Sequence, residues 1–173
     1  MTINLDLLLE EIADEVIEVA QKNLGAYRSM KGANGKTYRR RAVASGTLKN
    51  SLGYSIKKIG GTSSIVFSAG GKAKQYYLAV NNGRAKGTML SSQAIENWMR
   101  IKPIRLRGAK GFIKQTPKGM ARAAFAIAKS IKKRGIEPFP YYTDAINEVL
   151  EKRLPYLTEE ITRQIDLKIA EWQ

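Results

Sequence analysis

Residues 19–136 carry 26 lysines or arginines and one acid, Glu96. Residues 1–18 carry six acids and no base, and residues 137–173 carry eight acids and four bases. A compact domain with so one-sided a block repels itself unless something neutralises it. The layout therefore predicts a polyanionic partner, or acidic surfaces on neighbouring chains. A basic surface that meets only solvent is the plainer alternative.

A length of 173 residues suits one domain, 1–173, large enough for a real core, and the 43% hydrophobic fraction is ordinary for such a domain. No apolar run is long enough to span a bilayer, and the acidic, amphipathic N-terminus is not what a secretory signal looks like. Neither cysteine nor histidine occurs. That excludes disulfides and thiolate chemistry, and it removes the commonest general base and the commonest transition-metal ligand. No cofactor is expected.

The first element expected is an amphipathic helix over 3–24. Leu5, Leu8, Leu9, Ile12, Val16, Val19 and Ala20 recur at three- and four-residue steps, Asp6, Glu10, Asp14 and Glu18 line another face, and Gly25 stops it. That acidic face is either solvated or docked on a basic face of an adjacent subunit. Residues 25–44 show neither helical nor strand period and read as a long basic loop, carrying Arg39, Arg40 and Arg41 with Tyr27 and Tyr38. A short helix over 45–52, capped by Ser45 or Thr47, precedes a hairpin. Its strands, 54–59 and 63–69, flank Gly60-Gly61-Thr62, with Tyr54, Ile56, Ile59, Ile65 and Phe67 supplying the alternation.

The centre of the chain is residues 75–142. Gln75-Tyr76-Tyr77-Leu78-Ala79-Val80 has the length and composition of a buried third strand, and Asn81-Asn82-Gly83 is a turn signal. A helix over 91–99 starts like a capping box at Ser91 and contains Glu96 and Trp98. Residues 101–116 form a second basic loop, with Lys102, Arg105, Arg107, Lys110 and Lys114. The helix over 117–133 faces the third strand with Met120, Ala124, Ile127, Ala128 and Ile131, and Gly135 ends it. Helices over 142–152 and 157–172 follow, kinked or separated at Pro155. The expected fold is α+β: a small antiparallel sheet of about three to four strands against an N-terminal helix and C-terminal helices.

Nothing marks an enzyme. Metal-dependent phosphodiester chemistry needs clustered carboxylates, and the basic block offers only Glu96, more simply a structural residue. Asp144, Glu148 and Glu151 share a helix face but read as solvated, with Lys152 four residues after Glu148. A serine nucleophile would lack a histidine base. The glycine pairs at 60–61 and 70–71 have no phosphate-loop spacing.

Several stretches, in order, resemble the tail-completion family of tailed bacteriophages, small neck proteins related to tail terminators. Ser45-Gly46-Thr47-Leu48-Lys49-Asn50-Ser51 is similar to that family's small-Gly-x-Leu-x-x-Ser segment. Tyr76 to Arg84 is similar to its apolar strand ending at a glycine turn. The helix from Ile95 to Trp98 matches next. Ala128-Lys129-Ser130-Ile131, then Gly135-Ile136 and Pro138-Phe139-Pro140-Tyr141, resemble its Gly-Ile-x-Pro-x-Pro-Phe close. Tyr141 stands where the family has Phe, and the basic loops are longer. The resemblance implies a non-catalytic virion protein at the head–tail junction, assembled in the host cytoplasm. It also implies a six- or twelve-fold homo-oligomeric ring beside portal, adaptor or tail proteins, with no membrane. Genomic DNA would be met through phosphates, without base readout. Arg39, Arg40, Arg41, Arg105, Arg107, Lys110 and Lys114 are the candidate contacts to DNA or to neighbouring subunits. The alternative is a soluble, non-sequence-specific nucleic-acid-binding protein, with Tyr27, Tyr38, Tyr76 and Tyr77 as stacking candidates.

Overall fold

A computed structural model describes residues 5–31, 35–102, 106–108, 111–112 and 116–170. Its elements run α1 (Leu5–Gly25), β1 (Arg28–Lys31), β2 (Thr37–Arg40), α2 (Thr47–Asn50), β3 (Leu52–Ile59) and β4 (Thr62–Ala69). A 3-10 turn (Gly71–Gln75) leads into α3 (Tyr77–Asn82), α4 (Ser92–Ile101), β5 (Arg107–Gly108), β6 (Gly111–Phe112), α5 (Pro117–Arg134) and α6 (Tyr141–Ala170). The fold is α+β, and the strands among the described residues form three separate antiparallel pairs, β1–β2, β3–β4 and β5–β6.

The helix expected at the N-terminus forms as α1 and buries Ile12, Ala13, Val16, Ala20 and Leu24. It lies antiparallel to α6: the Asn23 amide donates to the Tyr141 carbonyl, and Glu15 takes Lys152 and Arg153, both at 2.7 Å. The β3–β4 hairpin closes this core. Tyr54 pairs with Phe67 and Ile56 with Ile65 on its inner face, as the alternation predicts, whereas Ile59 is exposed. Gly60 and Gly61 form the two-residue turn, both with positive φ, as a tight hairpin requires. Tyr142 ties hairpin to helix, its hydroxyl donating to Ser68 O at 2.7 Å. Each fully buried aliphatic here, such as Val16, Leu24 or Val149, contributes about 1.5–3 kcal/mol.

A second, smaller core lies between α4 and α5, from Ile95 and Met99 against Met120, Ala124 and Ala128. Thr116 caps α5 by accepting from Gly119 N, and Pro117 occupies the first turn, where its missing N–H costs nothing. This helical pair joins the main body through a narrow neck. Arg84 and Ile136 exchange two backbone hydrogen bonds of 2.9 Å, and Gly87 N donates to Lys132 O. Gly83 and Gly135 make the neck possible. Both have positive φ, and a Cβ on Gly83 would lie 2.5 Å from Ile136 O.

Four expectations are corrected. Residues 75–80 are not a third strand. Ala73, Tyr77, Val80 and Asn81 face the body at helical spacing, while Tyr76 and Leu78 are exposed. A short apolar run cannot be assigned by periodicity alone, and here the helical period wins. Residues 25–44 are not a loop throughout, because β1 and β2 pair with Met30 opposite Tyr38. Two strands alone are marginal in water, and Met30 packed against the main core anchors them. Helix α5 faces α4, not residues 75–80. Finally, of the two outcomes expected at Pro155, a kink or a separation into two helices, the separation does not occur, because α6 continues through it. Glu151, whose carbonyl loses its donor there, is exposed, so water can replace the missing N–H.

Candidate functional site

The β1–β2 hairpin has two faces because side chains alternate along a strand. Arg28, Met30, Tyr38 and Arg40 share one face. Arg28 pairs with Asp144 and lies over the Phe139 ring, and Arg40 donates to Glu137 O and contacts the Met30 sulfur. This face is stitched to the body. On the other face the guanidinium carbons of Arg39 and Arg41 sit 5.7 and 5.4 Å from the centroid of the Tyr27 ring, which is 58% exposed. Neither arginine pairs with a carboxylate among the described residues. Two cations held over an exposed phenol form a platform suited to phosphate, or to a base stacked beside it.

Of the seven candidate contacts, the structure brings together Arg39 and Arg41, both on the Tyr27 ring. Arg107 is placed by its backbone in β5, and Arg105, Lys110 and Lys114 lie outside the described residues. Arg40 is divided from its neighbours: it points towards the body while they point outward.

Between the main body and the α4–α5 pair lies a slot that the sequence reading did not locate. Three adjoining cavities, of about 640, 550 and 500 Å³, share Trp98, which is 40% exposed. The first is floored by Leu90, Ile95, Ile127 and Ile131. Arg40, Arg84, Lys102 and Arg134 stand around the first and third, and no carboxylate pairs with them among the described residues. Tyr76 lines the slot, whereas Tyr77 turns inward to the Tyr142 ring at 6.5 Å. The signal for the slot was present in the sequence as Ala94, Trp98 and Ile101, which widen the apolar face of this short helix beyond the Ile95 and Met99 that pack on α5.

Comparison with family models, with characterised proteins and with solved structures finds no match. The geometry therefore carries the functional argument.

Two of the acids considered as catalytic candidates, Glu96 and Asp144, have structural partners. Glu96 takes Arg100 at 2.8 Å, one helical turn on, and Asp144 takes Arg28. Lys152 goes to Glu15, not to Glu148 as helix spacing suggests. Glu15 is consequently held below the ordinary carboxylate range by its bonds to Lys152 and Arg153. On the same helix Asp6 pairs with Lys58. Among the described residues no group of three or more carboxylates converges to hold a metal ion, and no helix is long and apolar enough to cross a membrane.

Proposed function

We propose that this chain is a structural protein of a tailed-phage virion, part of a ring around the DNA channel at the head–tail junction. Its basic surfaces face DNA or neighbouring subunits, and it carries no catalysis. Six or twelve copies would close the ring, beside portal, adaptor or tail proteins, after synthesis in the host cytoplasm. The observation that carries this reading is the uncompensated basic surface: Arg39 and Arg41 on Tyr27, and Arg84, Lys102 and Arg134 around the slot. The ordered resemblance to tail-completion proteins supplies the setting. A ring needs cationic surface towards phosphate and contacts between copies, and this chain offers basic and acidic regions for both.

The test is sedimentation of the purified chain together with its detection in phage particles. Assembly into rings and presence in virions are expected; a persistent monomer that never enters particles refutes the reading. The stacked Arg39–Tyr27–Arg41 platform also favours a second reading, a soluble non-sequence-specific nucleic-acid binder. That alternative predicts steeply salt-dependent DNA or RNA binding by the isolated monomer.

A further inference from the structure

We propose that the slot around Trp98 receives the C-terminal part of α6 from a second copy of this chain. The contact is head-to-tail, with Ile161, Ile165 and Ile169 entering the slot. Four observations meet here.

First, both surfaces are apolar and unpartnered. Leu154, Ile161, Ile165 and Ile169 are each about half exposed, 49–54%, and recur mostly at four-residue steps, so they form one stripe along α6. The receiving cavity measures about 640 Å³ and is floored by aliphatic side chains beside an indole. An amphipathic helix laid in an apolar groove and anchored at i, i+4 and i+8 is a recurrent recognition mode.

Second, the charges match. Arg40, Arg84, Lys102 and Arg134 surround the slot. On α6, Glu151, Glu159 and Asp166 follow one flank of the stripe by the 3.6-residue repeat, and all three are exposed. No ion pair among the described residues engages them. Docking would set this acidic flank against a rim where these four bases outnumber one acid, Glu137, and form no ion pair among the described residues.

Third, a chain cannot fill its own slot. Ile136 and Glu137, just before α6, line the cavity. Ile161 lies twenty residues into that unbroken helix, roughly 30 Å away at 1.5 Å per residue. The occupant must come from another molecule.

Fourth, groove and stripe are different surfaces at opposite ends of the molecule. A contact that joins two different patches repeats from copy to copy. It gives a ring if the rotation closes and a filament if it does not. The proposal rests on the ring reading for closure, but the contact itself does not depend on a virion setting.

The chain has no cysteine, so paired cysteines give an unambiguous trap in the full-length protein. Ser130 lines the slot on α5. The S130C/I165C double variant should, on mild oxidation, yield a ladder of disulfide-linked dimers, trimers and higher species, with each single variant stopping at dimers or below. Independently, I165E, which alters an exposed position and should keep the wild-type circular dichroism, should weaken self-association at least tenfold. A double variant that gives no ladder where the wild type is oligomeric overturns the proposal, as does an I165E protein that assembles normally. So does a labelled oligothymidylate that protects the introduced thiol of the S130C single variant from alkylation while self-association leaves that thiol reactive. A ladder from a protein that never enters phage particles would leave this contact standing and remove only the virion reading.

Discussion

Asn81 offers the sharpest single test of the fold. It is 6% exposed, and its side chain makes hydrogen bonds that join α3 to the start of α6. Its Oδ1 accepts from Tyr142 N at 2.9 Å and Thr143 N at 3.3 Å, and its Nδ2 donates to Thr143 Oγ1 at 2.9 Å and Asn82 Oδ1 at 2.7 Å. The first N–H groups of a helix have no partner within it, and Pro140, just before α6, has no side-chain acceptor to offer. Asn81 therefore caps α6 from a different element. In Asn81→Ala, the lost cap costs about 1 kcal/mol and a buried N–H left unpaired about 1–3 kcal/mol, so the sum is about 2–4 kcal/mol. For a chain of this length that corresponds to a fall in Tm of about 5–15 °C. Asn81→Asp keeps the acceptor and places negative charge at the positive end of α6, favourable by about 0.3–1 kcal/mol, while giving up the two donated bonds. It should therefore lose visibly less than Ala. Urea unfolding of the full chain, followed by tryptophan fluorescence and circular dichroism, measures both. An Asn81→Ala protein within about 0.5 kcal/mol of wild type, the spread of an ordinary surface change, or an Asp variant as weak as Ala, would falsify the capping role.

Gly135→Ala should destabilise by at least about 2 kcal/mol, since its Cβ would collide with the Arg84 carbonyl at a positive φ; thermal unfolding checks it. Burial pushes the Tyr142 hydroxyl up to about 12 and Tyr141 higher still. A raised pKa favours the folded state below the unfolded value of 10.0, so stability should hold to pH 10 and fall between 10 and 12 as the unfolded chain ionises first. The Tyr142 share of that fall is about 2–3 kcal/mol; Tyr142→Phe should remove it, at a cost of about 1–2 kcal/mol near neutrality from the lost bond to Ser68. Changing Arg39 and Arg41 together to Ala should lower the slope of log affinity against log salt by about 1–2 on any DNA sequence, with stability altered by less than about 0.5 kcal/mol. Fluorescence anisotropy across a salt series reads this, and an unchanged slope removes the platform from the DNA path.

Elements with a long, regular period were legible. Helix α1, the β3–β4 hairpin and α5 follow from apolar residues at steps of three and four or of two, and from Gly60-Gly61 and Gly135. The hairpin at 28–40 was hidden because its alternation sets Arg28, Met30, Tyr38 and Arg40 against Ser29, Lys31, Thr37 and Arg39, and with arginines on both faces it makes no clear hydrophobic pattern. Residues 75–80 misled because six consecutive residues suit either period. The deciding fact is tertiary: Asn81, which looks like a turn residue, is drawn inward by the bare end of α6. At Pro155 only the expected separation fails, since a helix tolerates the missing bond where water reaches the orphaned carbonyl. At the site, Arg39, Arg40 and Arg41 read as one cluster, but the pleat separates them. The slot needed Trp98, Ile136 and Tyr38, distant in sequence, to be seen side by side.

The ion pairs also bear on what neutralises the basic block. Glu15 is taken by Lys152 and Arg153, and Glu160 by Arg163, all bases of the acidic C-terminal region rather than of the block. Those acids are already engaged, by groups close at hand on α6. Lys58 and Arg28 do draw acids from the two ends, at Asp6 and Asp144, but both sit where strands pack on helices and serve the main core. The arginines on Tyr27 and the cations around Trp98 lie farther out and enter no ion pair among the described residues, with Glu137 the one acid that shares the cavities beside Trp98. Mutual repulsion there is screened over about 8–10 Å at ordinary ionic strength, which makes the surface tolerable for an isolated chain but leaves it uncompensated. Folding thus places the cations without neutralising them. Under the proposals above, the neutralising anion would be phosphate at the hairpin and the acidic flank of another copy's α6 at the slot.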